Sequence, residues 1–397
     1  MHYIYLFDIN KIFLKHYQAK VLPEIKSFQN SITLNNYMFD KFLKINSENK
    51  LIQENQNFIK IPHPDVSIIM TMYNQAHCIY KAIRSVQNQS IKNLEIIIID
   101  DCSEDNSTDV ITEFQKADPR IILISHDTNE GKIKSRADGI RKAKGKYITV
   151  LDGDDQFIQK DILNHSMFIA EKGKFDVVEY RVVSYWKRNI EDLVGNEDNK
   201  DILYQPELRT RFTRKSRRKH YYLYNTIICG KFIKNKILQK VLNYIGTEYT
   251  DDYNNEAEDV IMAIGVYHTA KSYYRTNEIG YYYSKREKFK EYPKTKIGKF
   301  KINNKLKNFG YFKVTKFMVD KNNKNDKEKS MILGFMRFIS IDKSLVKIKF
   351  DDRHYKILFY IYDTILGYNC WNEEQKNYIM SQKDYAMKCF KKKKKSL

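Results

Sequence analysis

Hydrophobic positions alternate between two rhythms from Asp65 to Asp155. Three short stretches, Val66–Asn74, Glu95–Ser107 and Lys146–Asp155, each begin with an apolar run that passes directly into polar or acidic residues. Runs of this length, rich in Ile and Val, are predicted to be strands buried on both faces. Ile121–Ile124 is a fourth. Between the runs apolar residues recur at helical spacing. Ile79, Ala82, Ile83 and Val86 follow the first; Val110, Ile111 and Phe114 follow the second; Ile133, Ala137 and Ile140 precede the last, with Gly145 placed as a C-cap. Strands alternating with helices predict an α/β fold whose mostly parallel sheet is flanked by helices. Ligands of such sheets bind beyond the carboxyl ends of the strands. Those ends here carry hydroxyls and carboxylates, so one site is predicted.

The flanking chain is less regular. Residues 1–64 mix Phe, Leu and Ile with Asn, Lys and Gln, and are predicted to be an N-terminal extension with one or two helices, closed by Pro62 and Pro64. A helix is expected near Ile162–Ala170 and a strand at Val177–Ser184. TIICGKFIKNKILQKVL then reads as strand and helix, NNEAEDVIMAIGVYHTA as an acidic loop entering a helix, and SYYRTNEIGYYYSKR as a strand. Residues 287–397 form a basic, partly helical C-terminal region that ends in Lys391–Lys395. The cluster Arg209–His220 reads either as a solvated surface loop or as a loop near an acceptor or phosphate.

Composition narrows the function classes. The net charge of +21 admits an anionic partner, whether nucleic acid, membrane surface or phosphorylated substrate. Abundant Lys, Asn, Ile and Tyr, with only 14 Gly and 6 Pro, attribute most of that charge to compositional bias. No zinc finger, RRM signature or aromatic-basic alternation supports nucleic acid. No G-x-G-x-x-G follows the first run, which argues against a dinucleotide enzyme, and TMYNQAHC is not the glycine-rich, Arg-containing loop of a sugar nucleotidyltransferase. The five cysteines show neither zinc nor disulfide spacing. Asp8, Lys11 and Lys15 interrupt the N-terminal apolar residues, and no run of eighteen apolar residues occurs. A cytoplasmic protein is predicted, with peripheral contact to an anionic membrane through its lysine tail. The sequons at Asn88, Asn106 and Asn164 fall inside the predicted α/β core, where glycans would obstruct folding.

Three stretches in order, VSIIMTMYN, SVQNQSIKNLEIIIIDDCSEDNS and NEGKIKSRADGIRKAKGKYITVLDGDD, resemble family 2 of the GT-A-fold glycosyltransferases, the large inverting group. The resemblance is strong over Val66–Asp155 and reaches weakly to Arg286. It implies a GT-A domain over 65–286, with a nucleotide half at 65–155 and an acceptor half at 156–286. It also implies a hexosyl- or N-acetylhexosaminyl-type transferase that uses a nucleotide-sugar donor, a UDP-sugar by preference, and a glycan, lipid-linked or protein-linked acceptor. Mn²⁺ or Mg²⁺ would counter charge on the leaving diphosphate. By resemblance Asp154 binds the metal, and Asp152 lies near the donor ribose or in the metal shell. Asp155 serves either role or caps a helix. Asp101 accepts from the uracil base with Asp100 shaping the turn, and Thr71 and Tyr73 open the nucleotide pocket; Tyr73 as a core aromatic is the alternative. Arg136 either faces the diphosphate or braces the acidic motif. Asp259 is the base and Glu258 its neighbour, with Asp251 and Asp252 as rivals. A catalytically silent relative acting as a binding or partner subunit is the competing reading.

Overall fold

In the computed structural model, which describes residues 58–186, 189–192, 202–204, 214–215, 221–222, 227–251, 258–284, 304–321, 352–369 and 371–395, the first apolar run is strand β1 (Val66–Met72), buried at every residue. Helix α1 (Ile79–Gln87) turns Ile79, Ala82, Ile83 and Val86 inward, and each Ile or Val side chain contributes about 1.5–3 kcal/mol when buried. Strand β2 (Leu94–Asp100) follows, then α2 (Ser107–Ala117), β3 (Ile121–Ser125), α3 (Lys132–Lys142) and β4 (Tyr147–Asp152). These four strands are parallel, in the order β3-β2-β1-β4. Since β2 and β4 lie on opposite sides of β1, the chain reverses direction across the sheet there, and a crevice opens beyond its carboxyl end.

Helix α3 stops at Lys142, short of the predicted cap, and Ala143 ends it with extended backbone. Gly145 instead lets the chain pass close to β1. A Cβ on Gly145 would lie 2.5 Å from the Ser67 amide nitrogen, while its own N–H donates to Ser67 Oγ (2.8 Å), which donates in turn to Glu95 Oε1 (2.6 Å). The sequon asparagines also depart from expectation. Asn88, Asn106 and Asn164 are all exposed, because they sit at helix ends and on an outer helix face, so glycans there would not obstruct the core.

The remaining strands enter the same sheet: β5 (Gln156–Phe157), β6 (Val177–Trp186), β7 (Asn189–Asp192), β8 (Ile202–Tyr204), β11 (Lys231–Lys234) and β12 (Ser272–Tyr283). Strands β9 (Arg214–Lys215) and β10 (Tyr221–Tyr222) pair apart from it. Parallel pairing persists between β6 and β12, but β11 runs antiparallel to both β4 and β6, so the far half is mixed. An antiparallel neighbour needs no crossover helix, so strand burial alone leaves its direction open. Lys231, Glu179 and Arg275 are neighbours across β11, β6 and β12 and all are buried. Arg275 donates to Glu179 through Nε and Nη2 (both 3.2 Å), and the Tyr273 hydroxyl adds another bond. Pairing is what makes such burial tolerable.

Helices α4 (Ile162–Gly173), α5 (Asn235–Ile245), α6 (Thr247–Thr250) and α7 (Glu258–Thr269) complete this part. The C-terminal helices α8 (Asn304–Lys321), α9 (Asp352–Leu366) and α10 (Glu373–Lys395) join the same apolar core through Phe317, Leu358 and Ile379. Phe317 meets Tyr249 edge-on at 5.0 Å, and the Tyr249 and Tyr360 hydroxyls both donate to Asp320. No described helix is long and apolar enough to cross a membrane. The helices expected within residues 1–57, and the basic cluster Arg209–His220 apart from Arg214–Lys215, lie outside the described residues.

Candidate active site

Three strand ends converge. Thr71 lies opposite Ile99 on one side and Asp152 on the other, and its carbonyl accepts the Gly153 N–H (3.1 Å). Tyr73, the first residue past β1, is 41% exposed, so it is not a core aromatic. Asn74 has φ 53°, and its Oδ1 accepts the N–H groups of Glu104 (2.8 Å) and Asp105 (3.3 Å). That side chain stitches the exit of β1 to the loop after β2.

The two acids ending β2 do different work. Asp100 is buried; its Oδ1 accepts the Ser103 N–H (3.0 Å) and its Oδ2 the Thr108 hydroxyl (2.7 Å), which closes the turn. Asp101 reaches the segment before α3. Its Oδ1 accepts the Glu130 N–H (2.8 Å) and lies 3.0 Å from His126 Nδ1, and its Oδ2 accepts the Gly131 N–H (2.9 Å). A carboxylate has about four acceptor positions, so three contacts leave room for one donor.

Asp152, Asp154 and Asp155 each present a carboxylate oxygen within 4.8 Å of the others. All are hard oxygen donors of the kind that suit Mg²⁺ or Mn²⁺, so the set fits the implied metal. Gly153 keeps the turn tight, since a Cβ there would meet Gln75 Oε1 at 2.3 Å and Ile79 Cδ1 at 2.8 Å. Asp155 does not cap a helix. Its Oδ2 accepts the Tyr281 hydroxyl (2.7 Å) and its Oδ1 the Ser284 N–H (2.9 Å), which fastens the motif to the end of β12. Burial and the Asp155 carboxylate push the Tyr281 phenol well up, so it stays a donor. Asp154 is the more open of the three.

Arg136 unites the acids. Its side chain is fully buried, one face of α3 having been turned against the crevice. Nη2 donates to Asp152 Oδ1 (2.8 Å), and Nη1 donates to Asp259 Oδ1 (2.6 Å) and Glu258 Oε1 (3.1 Å). Burial alone would lower its pKa, but Asp259, Asp152 and Glu258 outweigh that and raise it well above the ordinary value. Glu258, at the start of α7, moves the other way. Burial first, then Asp259, push it up to about 7 against the pull of Arg136 and Lys132. Asp259 is about one-third exposed, at 32%. Asp251 pairs instead with Arg141 at 3.7 Å, and Asp252 lies outside the described residues.

Residues 67–242 match the model of Glycosyl transferase family 2. That stretch carries the pattern of the family. Curated relatives of that stretch include an uncharacterized glycosyltransferase of Haemophilus influenzae, 37% identical over 34% of this chain and 51% of its own length. Another is the UDP-Glc:alpha-D-GlcNAc-diphosphoundecaprenol beta-1,3-glucosyltransferase WfaP of Escherichia coli, 38% identical over 30% of this chain and 46% of its own. The chain thus spans about half the length of these curated relatives. Among solved structures, S. aureus TarS 1-349 in complex with UDP superposes with a TM-score of 0.57 at 14% identity, covering 84% of this chain and 90% of that one. TarS 1-349 with UDP-GlcNAc gives 0.57 at 15% identity, covering 81% and 89%. At such identity the likeness is one of fold, the GT-A fold.

Two neighbours of the candidate site were not anticipated. Lys132 sits four residues before Arg136, and its Nζ is 3.7 Å from Asp152 Oδ2; that i, i+4 spacing was the available signal. Tyr281, which also accepts the Asp152 N–H (3.2 Å), had none, since nothing local marks which tyrosine of a tyrosine-rich strand faces a site.

Proposed function

We propose that the chain is a metal-dependent inverting glycosyltransferase that moves a hexose or N-acetylhexosamine from a UDP-sugar to a hydroxyl of a glycan or lipid-linked acceptor. One observation carries this reading: Arg136 binds both the acid motif of β4 and the acid pair of α7, more than a hundred residues apart, in a single crevice at the strand ends. The names of relatives support the donor and acceptor classes, through UDP-Glc with a diphosphoundecaprenol-linked acceptor for the E. coli enzyme and UDP-GlcNAc for TarS.

In the proposed reaction Tyr73 stacks on the uracil and Asp101 offers its remaining acceptor position to the base N3–H. Asp154 and Asp152 would hold the divalent ion, which would supply positive charge against the leaving diphosphate. The acceptor hydroxyl attacks the anomeric carbon from the face opposite the diphosphate. A carbon–oxygen bond forms, the bond to the phosphate oxygen breaks with its electron pair going to the diphosphate, and the hydroxyl proton passes to Asp259. Glu258 lies behind Asp259 on the same guanidinium. The exposed lysines of α10, Lys391 and Lys394, begin and extend the polybasic run. Near an anionic bilayer each lysine contributes about 1 kcal/mol, which supports peripheral membrane contact.

The test pairs two substitutions. Asp259→Asn should lower the single-turnover rate by about 10²–10⁴-fold while UDP binding stays near wild type, as expected for loss of a general base. Asp154→Asn should weaken both. An Asp259→Asn protein that keeps most of its transfer rate would remove the base assignment. UDP affinity unaffected by EDTA and by Asp154→Asn would remove the metal.

A further inference from the structure

Arg136 cannot serve the leaving group. Every hydrogen bond of its guanidinium goes to a carboxylate, its Nε is buried without an acceptor, and its side chain has no exposed surface. Any side-chain cation that meets charge on a departing diphosphate, beside the divalent ion, must therefore be another residue. Lys132 occupies the position for it. It is the first residue of α3, one turn before Arg136, and its side chain is 46% exposed. Its Nζ faces Asp152 Oδ2, the oxygen that Arg136 leaves open. Asp152 is thus held between a buried cation and one at the mouth of the crevice. The other lysine of this turn, Lys134, is bound to both oxygens of Asp138 (2.7 and 2.9 Å).

The 3.7 Å separation is informative. It exceeds a hydrogen bond, so the contact with Asp152 is a loose ion pair that the side chain can exchange for a better acceptor. A lysine ammonium is a mobile point charge with three donors on a flexible stem. Phosphate oxygens entering beside Asp152 would offer it short, charge-assisted bonds. We propose that Lys132 is a diphosphate-binding residue of the donor site: its ammonium turns from Asp152 to the diphosphate oxygens of the nucleotide and gives the site affinity for that group independent of any divalent ion. The inference rests on the nucleotide-sugar reading above.

Isothermal titration of the full chain with uridine, UMP and UDP in EDTA, and again with Mn²⁺, tests it. The proteins are wild type, Lys132→Met, Lys132→Arg and Lys134→Met. In EDTA the ratio of UDP to uridine affinity should fall by about tenfold or more in Lys132→Met, the range of a hydrogen bond to a charged group. Uridine affinity should stay at the wild-type value, Lys132→Arg should restore most of the ratio, and Lys134→Met should leave it unchanged. A merely structural lysine would shift uridine and UDP together. An unaltered ratio in Lys132→Met, or an equal loss in Lys134→Met, would overturn the assignment while the donor reading stood. A wild type that binds neither uridine nor UDP under any condition would overturn both.

Discussion

Replacing Arg136 by methionine tests whether one guanidinium holds the two halves of the site together. Methionine approximates the length of the arginine stem but leaves Asp152, Glu258 and Asp259 without their shared partner. Asp152 and Glu258 are 7% and 4% exposed, so neither can recover its hydration without the crevice opening. Removing one member of a buried ion pair costs about 3–5 kcal/mol. Asp259, at 32% exposed, adds little to that, since water screens it. For a domain of this size each kcal/mol moves the midpoint by about 2–4 °C, so the metal-free variant should melt roughly 6–20 °C lower at pH 8. The loss should shrink at pH 5.5, because Glu258 then takes a proton and one of the stranded charges disappears. Thermal unfolding followed by circular dichroism in EDTA at both pH values measures this. Adding Glu258→Gln to Arg136→Met should recover part of the loss, a coupling that a double-mutant cycle isolates. Arg136→Lys should fall between, since an ammonium keeps the charge but cannot fork to three carboxylates. A variant within about 1 kcal/mol of wild type at pH 8 would refute the idea that this cation organises the site.

Three further outcomes follow from the same geometry. The Glu258 pKa is raised in the folded chain from 4.5 to about 7 by burial and Asp259, so its contribution to metal-free stability is present below the unfolded value and is lost as pH rises through the folded one. Asp259, Asp152, Arg136 and Lys132 all face it; Glu258→Gln should therefore flatten the decline between pH 5 and 8, and parallel melting curves would contradict this. Asp101→Asn puts an amide where two backbone N–H groups and His126 now meet two oxygens; urea unfolding should show a loss of about 1–3 kcal/mol, the cost of an unsatisfied buried donor, and wild-type stability would mean the 130–131 turn does not depend on it. Gly145→Ala would press a methyl to 2.5 Å from the backbone of Ser67, so soluble yield and melting temperature should drop with a strain of about 1–3 kcal/mol; an unchanged midpoint would show that the β1–β4 entry gives way.

What could be read in the sequence, and what could not, divides along a physical line. The βαβ block was legible because its evidence is local. Ile79, Ala82, Ile83 and Val86 lie on one helix face whatever surrounds them, and all four are buried. The mixed far half was not, since the direction of β11 beside β4 depends on a connection more than seventy residues long. The acids show the same division at finer scale. Taken residue by residue, the sequence marks Asp100, Asp101, Asp152, Asp154, Asp155, Glu258 and Asp259 only as carboxylates past strand ends or at a helix start, and their separate roles there come from the resemblance. Their separation comes from which lone pairs the fold has already engaged. Asp100 and Asp155 each have both oxygens bound within their own turn or to β12, while Asp101 and Asp152 keep acceptor capacity toward the crevice. Arg136 is the counterpart among cations. Its position in the motif left two roles open, facing a phosphate or bracing the acids, and only the placement of α7 against α3 decides between them. Once Asp259 and Glu258 arrive at its Nη1, no exposed donor remains. The charge available to a ligand then moves one helical turn outward, to a lysine whose type and spacing were visible from the start but whose role depended on what its neighbour had already bound.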